Sequence, residues 1–382
     1  MKLALVRQKY NPYGGAERFV ERALAALADQ QVTLICREWS GAPNHPVLTC
    51  NPFHVGRLWR DWSFARCVQR ALARERFDLV QSHERIPGCA IYRAGDGVHA
   101  TWLELRGRTQ SPPARLATRL NPWHRYTLAA EARMFRHDAL RAVICNSRMV
   151  RDDIAARFAV PDGKLHVIYN GIDPEAFHPR LREQHRSRLR GELGIAETAP
   201  LFVYVGSGFE RKGVPQLLQA FAHMANRSAQ LLVIGRDRRQ RDLESAAQRL
   251  GLGQRVRFLG GRQDVRPFYG AADAAVLPTL YDPFPNVALE ALACGLPLLT
   301  STTCGARELI RPDENGYVCE ALDIPALSGF LDRLAEPGRA AAMGQAAHDS
   351  VRELSLEHMA RQLVGLYRSL LTPPRGEMTA PL

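Results

Sequence analysis

Short apolar, β-branched runs alternate with longer helical patterns from one end of the chain to the other, and that alternation leaves few folds open. Parallel strands cannot be joined by hairpins; they need crossovers of a dozen residues or more, and the crossover helices then cover the faces of the sheet. The runs fall at 2–6, 32–37, 77–81, 90–93, 142–146 and 166–169 in the first half, and at 201–206, 230–234, 256–259, 274–277 and 297–300 in the second. Two α/β units are expected. A length of 382 residues exceeds one ordinary core and suits two domains of roughly 150–200 residues with a cleft between them. The turn formers of NGIDPEAFHP and the charged helical stretch 180–193 put the boundary at 175–195, giving domains of 1–175 and 176–354. A last helical pattern spans 355–371. The tail 372–382 lacks apolar periodicity and is expected to be disordered.

Composition removes several classes. No apolar run approaches the ~18–20 residues of a membrane span. MKLALVRQKY has four apolar residues before Arg7, too few for a secretory signal, so export is not expected. Eight cysteines occur singly, without zinc-ligand spacing, and read as reduced core thiols of a cytosolic protein. The net charge of +12 is lopsided: residues 1–170 hold 26 basic against 15 acidic side chains, so +11 belongs to the first half. That half is expected to face something anionic: nucleic acid, a membrane surface or a phosphorylated molecule.

Three segments carry chemistry. In KYNPYGGAER a strand ends and Gly14-Gly15 open a helix, which lets backbone N–H groups approach a phosphate; a tight turn without ligand is the competing reading. In LFVYVGSGFERKGVPQLLQAF a buried strand runs through Gly206, Ser207, Gly208 and Gly213 into an amphipathic helix. Arg211 and Lys212 sit at the mouth of that loop. A guanidinium forks onto two phosphate oxygens and an ammonium adds a point charge, so the pair can neutralise a diphosphate without a metal, a solvated basic turn being the alternative. In AAVLPTLYDPFPNVALEALACGLPLLTS a strand ends at Pro278, Asn286 is expected to cap, and 287–294 forms a short helix closed by Gly295. Glu290 lies one turn in, where a carboxylate accepts from both hydroxyls of a ribose, and Asp282 precedes the helix. Taken singly, either acid also fits a capping or solvated role.

On these residues the chain resembles the retaining glycosyltransferases of family 4, whose GT-B architecture is two facing Rossmann-like domains with a C-terminal helix returning to the first. The family's marker is an acidic pair separated by seven residues, usually Glu and Glu; here it reads Asp282-Pro-Phe-Pro-Asn-Val-Ala-Leu-Glu290. The family's diphosphate-binding pair is similar to Arg211 and Lys212 in SGFERKG, and its hinge to Asn170-Gly171-Ile172-Asp173. FDLVQSHERIPGCAIYRAGD, GGRQDV and LPLLTSTTCG, with KYNPYGGAER, are similar to the branch that adds glucose to heptose of the lipopolysaccharide core.

The resemblance implies donor-binding roles for Gly14, Gly15, Gly206, Arg211, Lys212, Asp282, Asn286, Val287 and Glu290, with ribose on Glu290 and the donor sugar on Asp282. It implies catalytic roles for Asp96, Lys212 and Asp282, with Asp96 in YRAGDGVH as the acceptor-side carboxylate and His99 as its rival. It further implies UDP-glucose as default donor, no cofactor or metal, a lipid-linked phosphorylated acceptor, and a cytoplasmic enzyme peripheral on the inner membrane. Asp is one methylene shorter than Glu, which leaves the sugar contact open. WLELRGRTQSPPARLATRLNPWHRYTLAAEARMFR and RDWSFAR interleave aromatic and aliphatic residues with Arg, as helices on an anionic membrane surface do; Arg-rich helices packed on their own domain are the alternative. A nucleotide-sugar epimerase and a non-catalytic sugar-nucleotide or anionic-polymer binder are the rival functions. No RNA- or DNA-binding motif supports nucleic acid, and G-x-G-x-x-G with a following acid, the mark of a dehydrogenase, is missing from both halves.

Overall fold

A computed structural model describes residues 2–10, 31–39 and 45–371. Its strands, in chain order, are β1 Lys2–Val6, β2 Lys9–Tyr10, β3 Gln31–Cys36, β4 Glu38–Trp39, β5 Val47–Thr49, β6 Leu79–Ser82, β7 Ile91–Arg93, β8 Ala142–Cys145, β9 Leu165–Val167, β10 Leu201–Val205, β11 Gln230–Ile234, β12 Val256–Gly260, β13 Ala274–Leu277, β14 Leu298–Ser301 and β15 Gly316–Cys319. They form a seven-stranded sheet in the order β5-β3-β1-β6-β7-β8-β9, a six-stranded sheet in the order β12-β11-β10-β13-β14-β15, and a short β2–β4 pair. The pairings within both large sheets are parallel. In each of them the strand order reverses once, between β1 and β6 and between β10 and β13. At such a switch point the crossovers leave in opposite directions and a crevice opens beyond the carboxyl ends of the strands. The first crevice begins at Arg7 and His83, the second at Gly206 and Pro278.

The cores differ. The second domain has one continuous cluster running from Ile172 to Val351. The first has three smaller ones. The chain passes from one domain's core to the other's between Ile168 and Ile172, ahead of the expected boundary at 176, because Ile172 and Phe177 already pack on the second core. The last helix, Leu356–Leu371, returns to the first domain: Met359, Leu363, Leu366 and Tyr367 pack with Leu3, Leu5, Leu34, Ile91 and Ile144. Burial of those four side chains contributes roughly 1.5–3 kcal/mol each as an upper estimate.

The segment 102–136 folds as three helices, His99–Gly107, Pro112–Leu120 and Pro122–Phe135. Proline at the start of the second and third lacks the N–H that a continuing helix would use. The two domains also touch directly. Glu308 accepts from Met149 N at 2.8 Å, Arg148 N at 3.1 Å and the Tyr169 hydroxyl at 2.7 Å, so a carboxylate of the second domain covers the N-terminus of the first domain's Arg148–Phe158 helix.

Candidate active site

Both crevices open on one cavity of about 350 Å3, lined by Arg7, His83 and Asp96 from the first domain and by Arg211, Lys212, Asp282, Asn286 and Val287 from the second. Gly206 follows β10, and the stem of Lys212 lies against it: a Cβ there would sit 3.0 Å from Lys212 Cδ. Gly213 closes the loop at φ +77°, where a Cβ would fall 1.8 Å from the Pro278 carbonyl oxygen. Only glycine fits, and its absent side chain lets the two loops of the second domain touch. They are then stitched by Leu280 N and Thr279 Oγ1, which donate to the Arg211 carbonyl at 2.8 and 3.1 Å.

This contact brings Lys212 Nζ to 3.2 Å from Asp282 Oδ2, with both residues buried. A buried charge without its partner is strongly unfavourable, so each side chain fixes the other. The shorter Asp282 is thereby a counter-ion of Lys212. Arg211 stays half-buried, its guanidinium donating to the Tyr281 carbonyl at 3.4 Å.

The expected short helix runs Asn286–Ala293 after an N-cap at Pro285, and Gly295 follows at φ +75°. Asn286 does not cap it. Its Oδ1 instead accepts from Asn170 Nδ2 at 2.7 Å, and Asn170 Oδ1 accepts from Arg93 Nη2 at 2.7 Å. The chain Arg93–Asn170–Asn286 thus crosses the domains at the hinge; burial lowers the Arg93 guanidinium to about 9. Glu290 lines a second cavity of about 270 Å3, with Asp173, Gln263 and Arg266. Its Oε2 accepts from the buried Tyr269 hydroxyl at 3.0 Å, and burial followed by the Glu290 charge pushes that phenol well up.

On the first domain, Asp96 is exposed on the turn after β7 and lines both the 350 Å3 cavity and an outer one of about 490 Å3. Arg7 and Arg211 share that double position. His99 lines only the outer cavity. It is the first residue of its helix, its N–H donates to Glu131 Oε1 at 2.9 Å, and its Nε2 lies 3.0 Å from His124 Nδ1. Burial, then the Arg85 and His124 charges, bring its ring down to about 3. The outer cavity is also lined by Lys9, Arg60, Asp61, Trp102, Trp123 and Tyr126. Gly14 and Gly15 lie outside the described residues.

Asn170, Arg93, Tyr269 and Tyr281 carry contacts of this site that sequence reasoning had not assigned. Asn170 stood inside a quoted motif and Tyr281 beside Asp282, yet nothing local marks a side chain whose partner lies across a cleft. Among the described residues no helix is long and apolar enough to cross a membrane, and no three His, Cys, Asp or Glu are grouped to hold a metal ion.

Two family models match successive parts of the chain. Residues 13–176 match the Glycosyltransferase Family 4 model and residues 185–349 the Glycosyl transferases group 1 model. The chain is 28% identical over 326 residues to the lipopolysaccharide glucosyltransferase WaaG of Escherichia coli K12, covering 83% of this chain and 85% of that one. It is 30% identical over 319 residues to the D-inositol 3-phosphate glycosyltransferase of Corynebacterium urealyticum, covering 78% and 73%. An uncharacterized glycosyltransferase of Methanocaldococcus jannaschii is 30% identical over 231 residues, a match that spans 59% of each chain. A crystal structure of WaaG superimposes with a TM-score of 0.81 at 25% identity, covering 95% of this chain and 99% of that one.

Proposed function

The chain belongs to the family 4 glycosyltransferases of GT-B architecture, and on that premise we propose that it moves a hexose, by default glucose from UDP-glucose, with retention of configuration, to a saccharide of the lipopolysaccharide core. The observation that carries this reading is the single cavity in which the buried Lys212–Asp282 pair of one domain faces Asp96 of the other. Glu290 takes the ribose, and Gln263, Asp264 and Val265 of GGRQDV line the same cavity. Arg211 and Lys212 neutralise the diphosphate as the bond from its oxygen to the anomeric carbon breaks. The acceptor hydroxyl attacks from the same face, and its proton passes to the departing diphosphate. Asp96, at the junction with the outer cavity, orients that hydroxyl. No metal is required for these steps, because two cations and a helix N-terminus supply the positive charge.

The acceptor side fits a phosphorylated, lipid-linked saccharide presented at the inner face of the inner membrane. The outer cavity combines Arg7, Lys9 and Arg60 with the aromatic faces of Trp102, Trp123 and Tyr126. The helix that supplies Arg60 and Asp61, Gly56–Arg74, also presents Trp59 and Trp62 to solvent, and Phe53 is 76% exposed just before it. The Pro112–Leu120 helix buries none of its residues and exposes Leu116 and Leu120 beside Arg115 and Arg119. An apolar and cationic rim of this kind suits an anionic bilayer surface.

A thermal-shift screen of nucleoside diphosphate sugars, followed by turnover on heptose-terminated core, tests the reading. UDP-glucose at 100 times its Kd should stabilise the fold by about 2.7 kcal/mol and be consumed only when acceptor is present. Release of an isomerised sugar from donor alone would point to an epimerase. Stabilisation without turnover would point to a non-catalytic binder.

A further inference from the structure

Tyr281 touches both walls of the cleft. On its own side, its carbonyl accepts from the Arg211 guanidinium, and it stands between Leu280, whose N–H is bonded to the Arg211 carbonyl, and Asp282. On the opposite side, its hydroxyl oxygen accepts the backbone N–H of Val98 at 2.8 Å, a contact between residues 183 positions apart. Val98 is the N-cap of the His99–Gly107 helix and lies two residues from Asp96.

The receiving turn is built for that contact. Gly97 holds φ +67°, and a Cβ on it would lie 2.2 Å from Tyr281 Oη and 2.8 Å from Pro283 Cγ. The Gly97 carbonyl accepts from Arg85 Nη2 at 3.0 Å. Arg85 Nε in turn donates to the buried Glu131 at 2.8 Å, and the same Glu131 oxygen takes the His99 N–H. The turn carrying Asp96 is therefore rigid within its own domain, and the Tyr281 hydroxyl is its tie to the other. Burial raises the phenol, so the tie remains a neutral hydrogen bond at physiological pH.

We propose that Tyr281 is a cross-cleft positioning residue, whose hydroxyl sets the spacing between the Asp96 turn and the Lys212–Asp282 pair. The assignment of those two groups to acceptor and donor rests on the function proposed above; the contact itself does not. Loss of the hydroxyl leaves the Val98 N–H unpaired, so the Asp96 turn, still held within its own domain, shifts with that domain relative to the Lys212 side.

Tyr281→Phe separates these roles. The variant should stay folded, with an unfolding midpoint lowered by no more than a few degrees, and bind UDP within twofold of wild type, while kcat for transfer from UDP-glucose to heptose-terminated core falls about tenfold, the order expected for one buried hydrogen bond. Transfer to water should rise relative to transfer to acceptor. Gly97→Ala should also lower kcat by pushing the ring away, with an added loss of stability from its φ of +67° and the contact with Pro283. Dyes on the two domains, read by single-molecule energy transfer with UDP bound, should show a broader distance distribution in either variant. An unchanged distribution with kcat within twofold would overturn the proposal, and so would UDP affinity falling in step with kcat. If wild-type protein transfers no sugar, the proposed function fails, while the distance measurement still decides whether Tyr281 ties the domains.

Discussion

The two domains share a layered parallel sheet but differ in how firmly it is finished. The second has one continuous core and a site whose loops are locked by a glycine with no room for a side chain, two hydrogen bonds to one carbonyl and a buried ion pair. The first has three separate clusters and carries Phe53, Val55, Leu58, Trp59, Trp62, Leu116 and Leu120 as exposed apolar side chains, along with nearly all the net positive charge. Under the proposed function, the difference follows what each domain would hold. A leaving group of fixed shape is best met by groups that need no rearrangement. A large acceptor at a surface is met by a wide, charged and aromatic cavity with an apolar rim.

The largest effect is expected at Lys212. Lys212→Ala should lower kcat by about 10²–10³-fold, the scale seen when one preorganised charge-stabilising donor is lost; near-normal turnover in single-turnover kinetics would remove the rigid half of the contrast. A smaller effect is expected on the first domain. Trp59→Ala with Trp62→Ala should leave turnover on a soluble acceptor fragment intact while lowering flotation with anionic liposomes by about tenfold, roughly 1.4 kcal/mol of lost apolar burial. Equal flotation with neutral and anionic vesicles would leave the positive charge without that use.

The smallest effect is expected at His99, in the first domain. Its folded pKa of about 3 lies below the ordinary 6.5. Above pH 6.5 the ring is neutral in both folded and unfolded chains, so it adds no slope. Between 6.5 and 3 only the unfolded chain takes the proton, and stability falls as the pH falls. His99→Gln should flatten part of that acid limb in unfolding midpoints, whereas an unchanged limb would show that other groups set it.

Sequence patterning reached the sheets because each central strand is a buried apolar run long enough to stand out, as at Leu201–Val205 and Gln230–Ile234. It missed β5 and β15, where three or four residues carry the pairing and Gly316 begins a strand because the Leu298 carbonyl oxygen would lie 2.0 Å from its Cβ. It reached Lys212, Asp282 and Glu290 as chemical types, but the pairing of Lys212 with Asp282 is a fact of two loops 70 positions apart. Asn286 shows the limit most clearly: its type and place suit an N-cap, and a neighbour across the hinge, Asn170, takes its side chain instead.

The Leu356–Leu371 helix has a consequence for how the protein is made. The first sheet emerges from the ribosome without the helix that packs against Leu3, Leu34 and Ile144, and must wait while residues 172–354 are synthesised. At about 5–20 residues per second that interval is on the order of ten to forty seconds. Residues 172–354 are complete before that helix is made, so the second core can close before the first has all its parts.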